Sequence, residues 1–376
     1  MLDHNLVAVA EQFAPRGRFL DVRGYGNGNV NDTFLVTVGG SHPGLPPNSP
    51  GEPRFILQRL NQKVFRRPEL VMLNLGTLTE HVRRRLDEAP LSPGRRWEVP
   101  RVVLSREGRD HFLDAGGSFW RALSFIEAAQ PFDTIKDLAH ASEVGYALGR
   151  FHQLLSDLDP ERLADTLPGF HLTPGYLAYY DEVLMTHGAP PSPEVNYALH
   201  FISDRRSLAQ VLEAAKAQGR LQLRPVHGDP KVNNVMLDTA TGQAVAMVDL
   251  DTVKPGLVHY DIGDCLRSGC NPLGEETEHW EKVRFDPDLG RAILQGYLPL
   301  ARDFLTGSDY DYLYHAIRLL AFELGLRFFT DFLAGNVYFK ARHREHNLAR
   351  ALVQFKLTES IELQAGALDA IIQDLR

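Results

Sequence analysis

Apolar residues in the first part of the chain gather in short runs bounded by Gly, Pro, Asn and charged residues. Phe19 to Arg23, Thr33 to Val38, Arg54 to Leu60, Val102 to Leu104 and Phe119 to Ile126 each predict a strand on that pattern. Two helices interrupt them. Leu6, Val9, Ala10 and Phe13 share one face of a short helix ending near Pro15. Val71, Leu75, Leu78, Val82 and Leu86 recur at helical spacing and predict a helix over about 68–87, with Pro68 at its start. From about Thr134 the helical period takes over. Val144, Leu148, Phe151 and Leu155 form a buried stripe, and the neighbouring His152 reads as a core-edge histidine. Leu208, Val211, Leu212 and Ala215 mark a further helix, and 289–300, 312–332 and 344–375 are mainly helical. The expected class is α+β, and a length of 376 residues fits two lobes better than one core.

One β-patterned stretch late in the chain carries the candidate chemistry. His227-Gly228-Asp229 opens a polar loop, and Asn234 follows five residues after Asp229. Val235 to Asp238, a Thr/Gly turn at 239–242 and Ala244 to Val248 then predict a β-hairpin whose second strand runs into Asp249. A loop and a hairpin thus bring two carboxylates and a carboxamide together. Phosphoryl transfer needs such a set: one Asp to orient the attacking hydroxyl and accept its proton, a second Asp and an Asn to hold Mg2+ against the nucleotide phosphates. Asp229 is read as the base, Asn234 and Asp249 as metal ligands. Lys231, two residues after Asp229, is read as a clamp on the transferring phosphate.

A Gly-rich turn in the first lobe fits the same chemistry. Gly24-Tyr25-Gly26-Asn27-Gly28-Asn29-Val30-Asn31-Asp32 lies between two predicted strands. Such a turn can fold its amides over phosphates because absent Cβ atoms permit close approach. The competing reading is a plain hairpin turn. With the downstream motif present, Gly24, Gly26, Gly28 and Asn31 are assigned to the nucleotide. Residues 39–53 and 89–100 are rich in Gly and Pro and read as loops.

HGDPKVNN, followed by VDLDTVKPG and YDIGD, resembles the aminoglycoside phosphotransferase and choline kinase superfamily. FILQRLNQKVFRRPELVMLNLGTLTEHVR, LDTVKPGLVHYDIGD and LGLRFFTDFLAGNVYFK are most similar to N-acetylhexosamine 1-kinases. The resemblance implies a bilobal protein-kinase-like fold: a small β-rich nucleotide-binding lobe at 1–127 and a large helical catalytic and acceptor-binding lobe at 128–376. It places an interlobe hinge at Glu127-Ala128-Ala129, whose backbone would meet the adenine edge. It gives Asp261 a structural role, bracing the catalytic loop from below. Asp251 would orient Asp249 or reach the metal through water. The strand lysine that kinases use on the phosphates is missing from Ile56-Leu57-Gln58-Arg59. Arg59 or Gln58 must replace it, with Glu80 as a candidate partner for Arg59. The alternative for Glu80 is a solvated charge.

Bulk properties narrow the class without naming a substrate. A net charge of −8 argues against general nucleic-acid binding. Cys265 and Cys270 lie five residues apart without a His/Cys set around them, so a reducing compartment is the default. No leader pattern and no apolar run of membrane-spanning length stands out, so a cytoplasmic protein with no membrane partner is expected.

An acceptor pocket beside Asp229 should carry charged and aromatic groups that fix a small hydroxyl ligand. Arg267, Arg327 and Tyr338 are the candidates, the last two supported by the resemblance. For Arg327 the competing reading is an ion pair with Asp331, four residues later. The expected activity is ATP- and Mg2+-dependent phosphorylation of the anomeric hydroxyl of an N-acetylhexosamine. The alternatives are a kinase of an amino alcohol or aminoglycoside, or a nucleotide-binding pseudokinase.

Overall fold

The structure, a computed structural model, describes residues 4–14, 18–26, 30–39, 53–89 and 93–376. Gly28 and the segment 40–52 therefore lie outside the described residues. The chain divides into two compact units. The first is Met1–Ala129 with two short returning segments, Glu161–Leu167 and Leu250–Lys254; the second is Gln130–Pro160, Pro168–Asp249 and Pro255–Arg376.

The first unit runs α1 (His4–Gln12), β1 (Arg18–Gly24), β2 (Asp32–Gly39), β3 (Arg54–Arg59), α2 (Pro68–Glu88), β4 (Val102–Val103), β5 (Phe112–Leu113) and β6 (Phe119–Ser124). The strands form an antiparallel sheet in the order β1-β2-β3-β6-β4, with β5 also paired to β6. The pleat sorts the side chains. Phe55 and Leu57 of β3 join Trp120 and Ala122 of β6 in a core that includes Val9 and Ala10 of α1 and Phe13 just after it. Gln58 and Arg121 are directly opposed across the two strands. On α2, Asn74 ties in both returning segments: its amide donates to the carbonyls of Ala164 and Val253 (both 2.8 Å) and accepts from Ala164 N (2.8 Å).

The second unit is built from α3 (Leu138–Leu155), α4 (Thr173–His187), α5 (Pro193–Arg205), α6 (Val211–Ala217), α7 (Val258–Gly269), α8 (Pro287–Ala301), α9 (Gly307–Asp311), α10 (Leu313–Leu333), α11 (His346–Leu363) and α12 (Ala365–Leu375). Its main core gathers around α10 and includes Leu320, Phe322, Phe328 and Phe329 with Phe355 of α11 and Phe201 of α5. Helices α3 and α8 touch backbone to backbone, because a Cβ on Gly145 would fall 1.9 Å from the Ile293 carbonyl oxygen. The expected hairpin is present: Val235–Asp238 pairs antiparallel with Ala244–Met247, and Met247 faces Val235. No helix among the described residues is long and apolar enough to cross a membrane.

Helices α4, α5 and α7 were not legible in the pattern. Every residue of α7 from Val258 to Arg267 is buried, so the helix has no polar face to set a period. Helix α4 buries only Thr173, Tyr180 and Val183, too few to mark a stripe. Helix α5 did carry a start signal, Ser192 as N-cap followed by Pro193, with the Ser192 side chain accepting from Val195 N. The helix expected from Thr134 starts only at Leu138, where Asp137 caps it by accepting from His140 N (2.8 Å).

Candidate active site

The HGD loop is a short segment clamped on both sides. His227 N (2.6 Å) and Gly228 N (2.8 Å) donate to the two oxygens of Asp261 on α7. Asp261 is fully buried and also receives His152 Nε2 at 2.8 Å. Burial alone would push this carboxyl up. The N–H groups donated by His152 and by the His227 backbone outweigh it and hold Asp261 below the ordinary carboxylate range. Asp261 thus supports the loop through two peptide N–H groups. The His152 ring, 3% exposed, is finished by Tyr297 Oη at 2.9 Å on Nδ1.

His227 itself points back into the fold. Its Nε2 donates to the Val248 carbonyl (3.0 Å), and its Nδ1 accepts from Asp229 N (3.3 Å). That pattern demands the neutral tautomer, in keeping with burial pushing its pKa down.

Asp229 meets the two groups that sequence spacing assigned to it. Lys231 Nζ lies 2.8 Å from Asp229 Oδ2, and the two side chains keep 34% and 26% of their exposure. Asn234 Nδ2 donates to the Asp229 carbonyl at 2.7 Å. Burial raises the Asp229 carboxyl, but Lys231 overrides it and the net direction is down. Asp229 is therefore a carboxylate at neutral pH and a weak base, suited to orient a hydroxyl and accept its proton late in transfer. Burial opposes the Lys231 charge, yet Asp229 and Asp249 together raise its pKa and keep the ammonium.

The two candidate metal ligands, Asn234 and Asp249, are joined through the hairpin. Val248 N donates to the Asn234 carbonyl at 2.9 Å, which sets Asp249 next in line. Asp249 has φ +63°, a left-handed conformation uncommon outside glycine. Because the Asn234 amide nitrogen is spent on Asp229, its Oδ1 remains as the oxygen donor. One carboxylate and one carboxamide oxygen fit a hard cation that retains phosphate and water ligands.

In the first unit, several expected nucleotide contacts have other partners. Asn31 is 8% exposed; its Nδ2 donates to Asp251 Oδ2 (2.7 Å) and its Oδ1 accepts from Asn61 N (3.0 Å). Both ends of the side-chain amide are used inside the unit, so the nucleotide contact expected of Asn31 is left to its backbone. Asp251 also ion-pairs with Arg121, so both of its carboxylate oxygens have partners within the unit. Arg59 Nε donates to Asp32 at 2.9 Å, and its guanidinium lies 5.7 Å from the Trp120 ring. Asp32, not Glu80, is its carboxylate partner. Gln58 accepts twice from Arg121 (3.0 and 2.8 Å). Gly24 ends β1 and Gly26 turns with φ +73°. The Glu127 side chain pairs with Arg54, and the carbonyls of Glu127 and Ala128 accept from Arg96 Nη2 at 2.8 and 3.2 Å.

Arg121 was missed. It is 1% exposed, bonded to Gln58 and Asp251, and its Nη1 is buried with no hydrogen-bond partner among the described residues. A single charge inside the apolar run from Phe119 to Ile126 was the available signal.

The three acceptor candidates separate sharply. Arg267 is 4% exposed and donates to Asp264 (2.7 Å) and Glu275 (3.0 Å). Its fork is committed to carboxylates, which makes it a structural group rather than a free donor. Arg327 is half-buried, and its guanidinium lies among four rings: Tyr176 (4.9 Å), Phe170 (5.2 Å), Phe339 (5.4 Å) and Tyr338 (5.9 Å). The ion pair considered with Asp331 does not form. Asp331 instead accepts the backbone N–H groups of Val337 (2.9 Å), Tyr338 (2.8 Å) and Phe339 (3.0 Å), and so builds the loop that presents both rings to Arg327. Tyr338 remains 59% exposed.

Comparison with known proteins identifies the family and the fold. The model of the phosphotransferase enzyme family, APH, matches residues 21–304, and the chain belongs to that family. It is a small-molecule kinase, a phosphotransferase that uses a hydroxyl group as acceptor. Among solved structures, an aminoglycoside phosphotransferase from Alicyclobacillus acidocaldarius aligns over 98% of this chain and 96% of its own, at 15% identity and a TM-score of 0.57. A choline kinase from Cryptosporidium parvum covers 94% and 91% at 14% identity and a TM-score of 0.56. A choline/ethanolamine kinase family protein from Mesorhizobium loti covers 98% of each chain at 13% identity and a TM-score of 0.55. At these identities the likeness establishes the shared fold.

Proposed function

We propose that this kinase uses ATP and Mg2+ to phosphorylate the anomeric hydroxyl of an N-acetylhexosamine. The observation that carries the reading is Arg327. A guanidinium set among four rings, with no carboxylate on it among the described residues, repels a cationic acceptor and suits a neutral, polyhydroxylated one with an amide. In this reading Arg327 and Tyr338 donate to the sugar while Asp229 accepts from its reacting hydroxyl. The anomeric hydroxyl is more acidic than the others on the ring, so a weakly basic carboxylate suffices.

The remaining roles follow from charge. Asn234 and Asp249 would hold Mg2+, which would offset the negative charge of the nucleotide phosphates when bound. Lys231, kept protonated, stands over the transferring phosphoryl group. Gly24 and Gly26 would offer backbone amides to the nucleotide, and Arg59, half-exposed beside its Asp32 partner, is the β3 cation assigned to its phosphates. Glu127 contributes through its backbone.

The test is an ATP-consumption screen over N-acetylglucosamine, N-acetylgalactosamine, amino alcohols and aminoglycosides. The two N-acetylhexosamines should stimulate turnover, and the product should no longer be a reducing sugar. Stimulation by an amino alcohol or aminoglycoside alone would overturn the acceptor assignment. A phosphorylated product that still reduces would overturn the anomeric position.

A further inference from the structure

His171 is a buried, titratable group that the chemistry above does not use. It lies in the turn before α4, is 6% exposed, and has φ +63°. Its Nδ1 lies 2.8 Å from Glu323 Oε1, and its Nε2 lies 2.8 Å from the Gly228 carbonyl oxygen. A carboxylate and a carbonyl can only accept. Both ring nitrogens must therefore donate, which makes the ring an imidazolium. This is the opposite of His227, whose Nδ1 faces an N–H.

The surroundings sustain that charge. Glu323 on α10 is 1% exposed and also accepts from Thr173 Oγ1 (2.6 Å). From α7, the Tyr260 ring stacks on the imidazole at 5.3 Å and the Asp264 carboxylate adds its field. The Tyr176 hydroxyl accepts from His171 N at 3.4 Å. Burial opposes the charge on His171, but these carboxylates prevail and raise its pKa.

What His171 holds is the peptide immediately before Asp229. Gly228 has φ +83°, and its N–H is fixed by Asp261 at 2.8 Å. Its two peptide groups are thus gripped by charges of opposite sign, a carboxylate on the N–H and an imidazolium on the C=O. The same strap reaches the acceptor side. Phe170 and Tyr176 flank the Arg327 guanidinium, and Arg327 lies one helical turn beyond Glu323 on α10.

We propose that His171 is a positioning residue of the phosphoryl-transfer site: an imidazolium whose Nε2–H fixes the Gly228 carbonyl and thereby sets the Asp229 carboxylate. The inference rests on the reading of Asp229 as the base. It also explains why an L-residue is kept at a left-handed position where glycine would be easier: only a side chain with two donors spans Glu323 and Gly228.

Two variants test it, because each keeps one of the two contacts. In His171→Gln the amide nitrogen falls where Nε2 was and can still donate to Gly228. In His171→Asn it falls where Nδ1 was and can still donate to Glu323. Asn tolerates the left-handed backbone better than Gln, so a purely structural role ranks Asn as the more stable and the more active. The proposal ranks activity the other way. We expect His171→Gln to keep kcat within about threefold of the parent, and His171→Asn to lose roughly tenfold or more with KM for ATP unchanged.

Amide hydrogen exchange of the peptide spanning 226–234 is read on the same proteins. It should quicken in the Asn variant and stay near the parent in the Gln variant. Equal kcat and equal exchange for Asn and parent would overturn the proposal, as would a tenfold loss in Gln. If Asn fails to fold, the Gln result alone decides between those outcomes. A parent silent toward every acceptor tested, with exchange still following the predicted order, would sink the acceptor reading and leave the positioning role standing.

Discussion

Replacing Asp261 by Asn isolates the support under the catalytic loop. The carboxylate is fully buried and accepts three hydrogen bonds, from His227 N (2.6 Å), Gly228 N (2.8 Å) and His152 Nε2 (2.8 Å). An Asn side chain preserves the shape but has a single acceptor oxygen. Its NH2 group must then face at least one N–H donor. Hydrogen bonds to a charged group contribute roughly 1.5–3 kcal/mol each, and an unmatched buried donor costs about 1–3 kcal/mol more. Losing one bond and stranding one donor predicts a destabilisation of about 2.5–6 kcal/mol, which brackets the roughly 3–5 kcal/mol seen when one partner of a buried charge pair is removed.

Urea unfolding of parent and variant measures this directly, with kcat followed in parallel. The pH dependence supplies an internal check. The folded pKa of Asp261 is depressed, so its contribution is present above the unfolded value of about 3.9 and is lost as pH falls through the lower folded value. Asn does not titrate there. The gap between parent and variant should therefore be full at pH 6 to 7 and narrow progressively below about pH 4. A gap below about 1 kcal/mol at neutral pH, or one that widens in acid, would refute the reasoning.

Three further outcomes are expected. Asp229→Asn should retain fold and nucleotide affinity while kcat falls by roughly 10²–10⁴, measured by coupled ADP release; near-normal turnover would remove Asp229 from the role of base. Asp249→Ala should raise the Mg2+ concentration for half-maximal rate and lower kcat together, and overlapping titration curves for variant and parent would show that Asp249 is not a ligand. Arg327→Ala should raise KM for the acceptor by roughly 10- to 150-fold, the equivalent of one charged hydrogen bond, and leave KM for ATP within about twofold. A matching fall in kcat would mean that Arg327 also orients the reacting hydroxyl.

What the sequence made legible was local. The strands of the first unit and the 235–247 hairpin follow periods a few residues long, and Asp229, Lys231 and Asn234 lie within a single loop. Their contacts could be read because so little chain separates them. The two arginines assigned to the acceptor were indistinguishable on that basis, since both sit on helices with an acidic residue nearby. Structure separates them through their partners: the nearby Asp264 and Glu275 close on Arg267, while Phe170 and Tyr176 come from far earlier in the chain, before and within α4, to surround Arg327. The i,i+4 spacing of Arg327 and Asp331 suggested an ion pair because helix geometry permits one. Asp331 is 4% exposed and already saturated by the N–H groups of the turn after α10 and by Asn347 Nδ2 (2.9 Å), so the pair has no free acceptor to form with. A buried carboxylate bonds whichever donors would otherwise be stranded, and backbone N–H groups in a turn cannot turn to water as an arginine can. That preference releases Arg327 toward the rings. It also explains why the 170–176 strap was invisible beforehand. His171, Thr173 and Tyr176 look like ordinary loop and helix-start residues, and their roles exist only once Glu323, some 150 residues later, arrives among them.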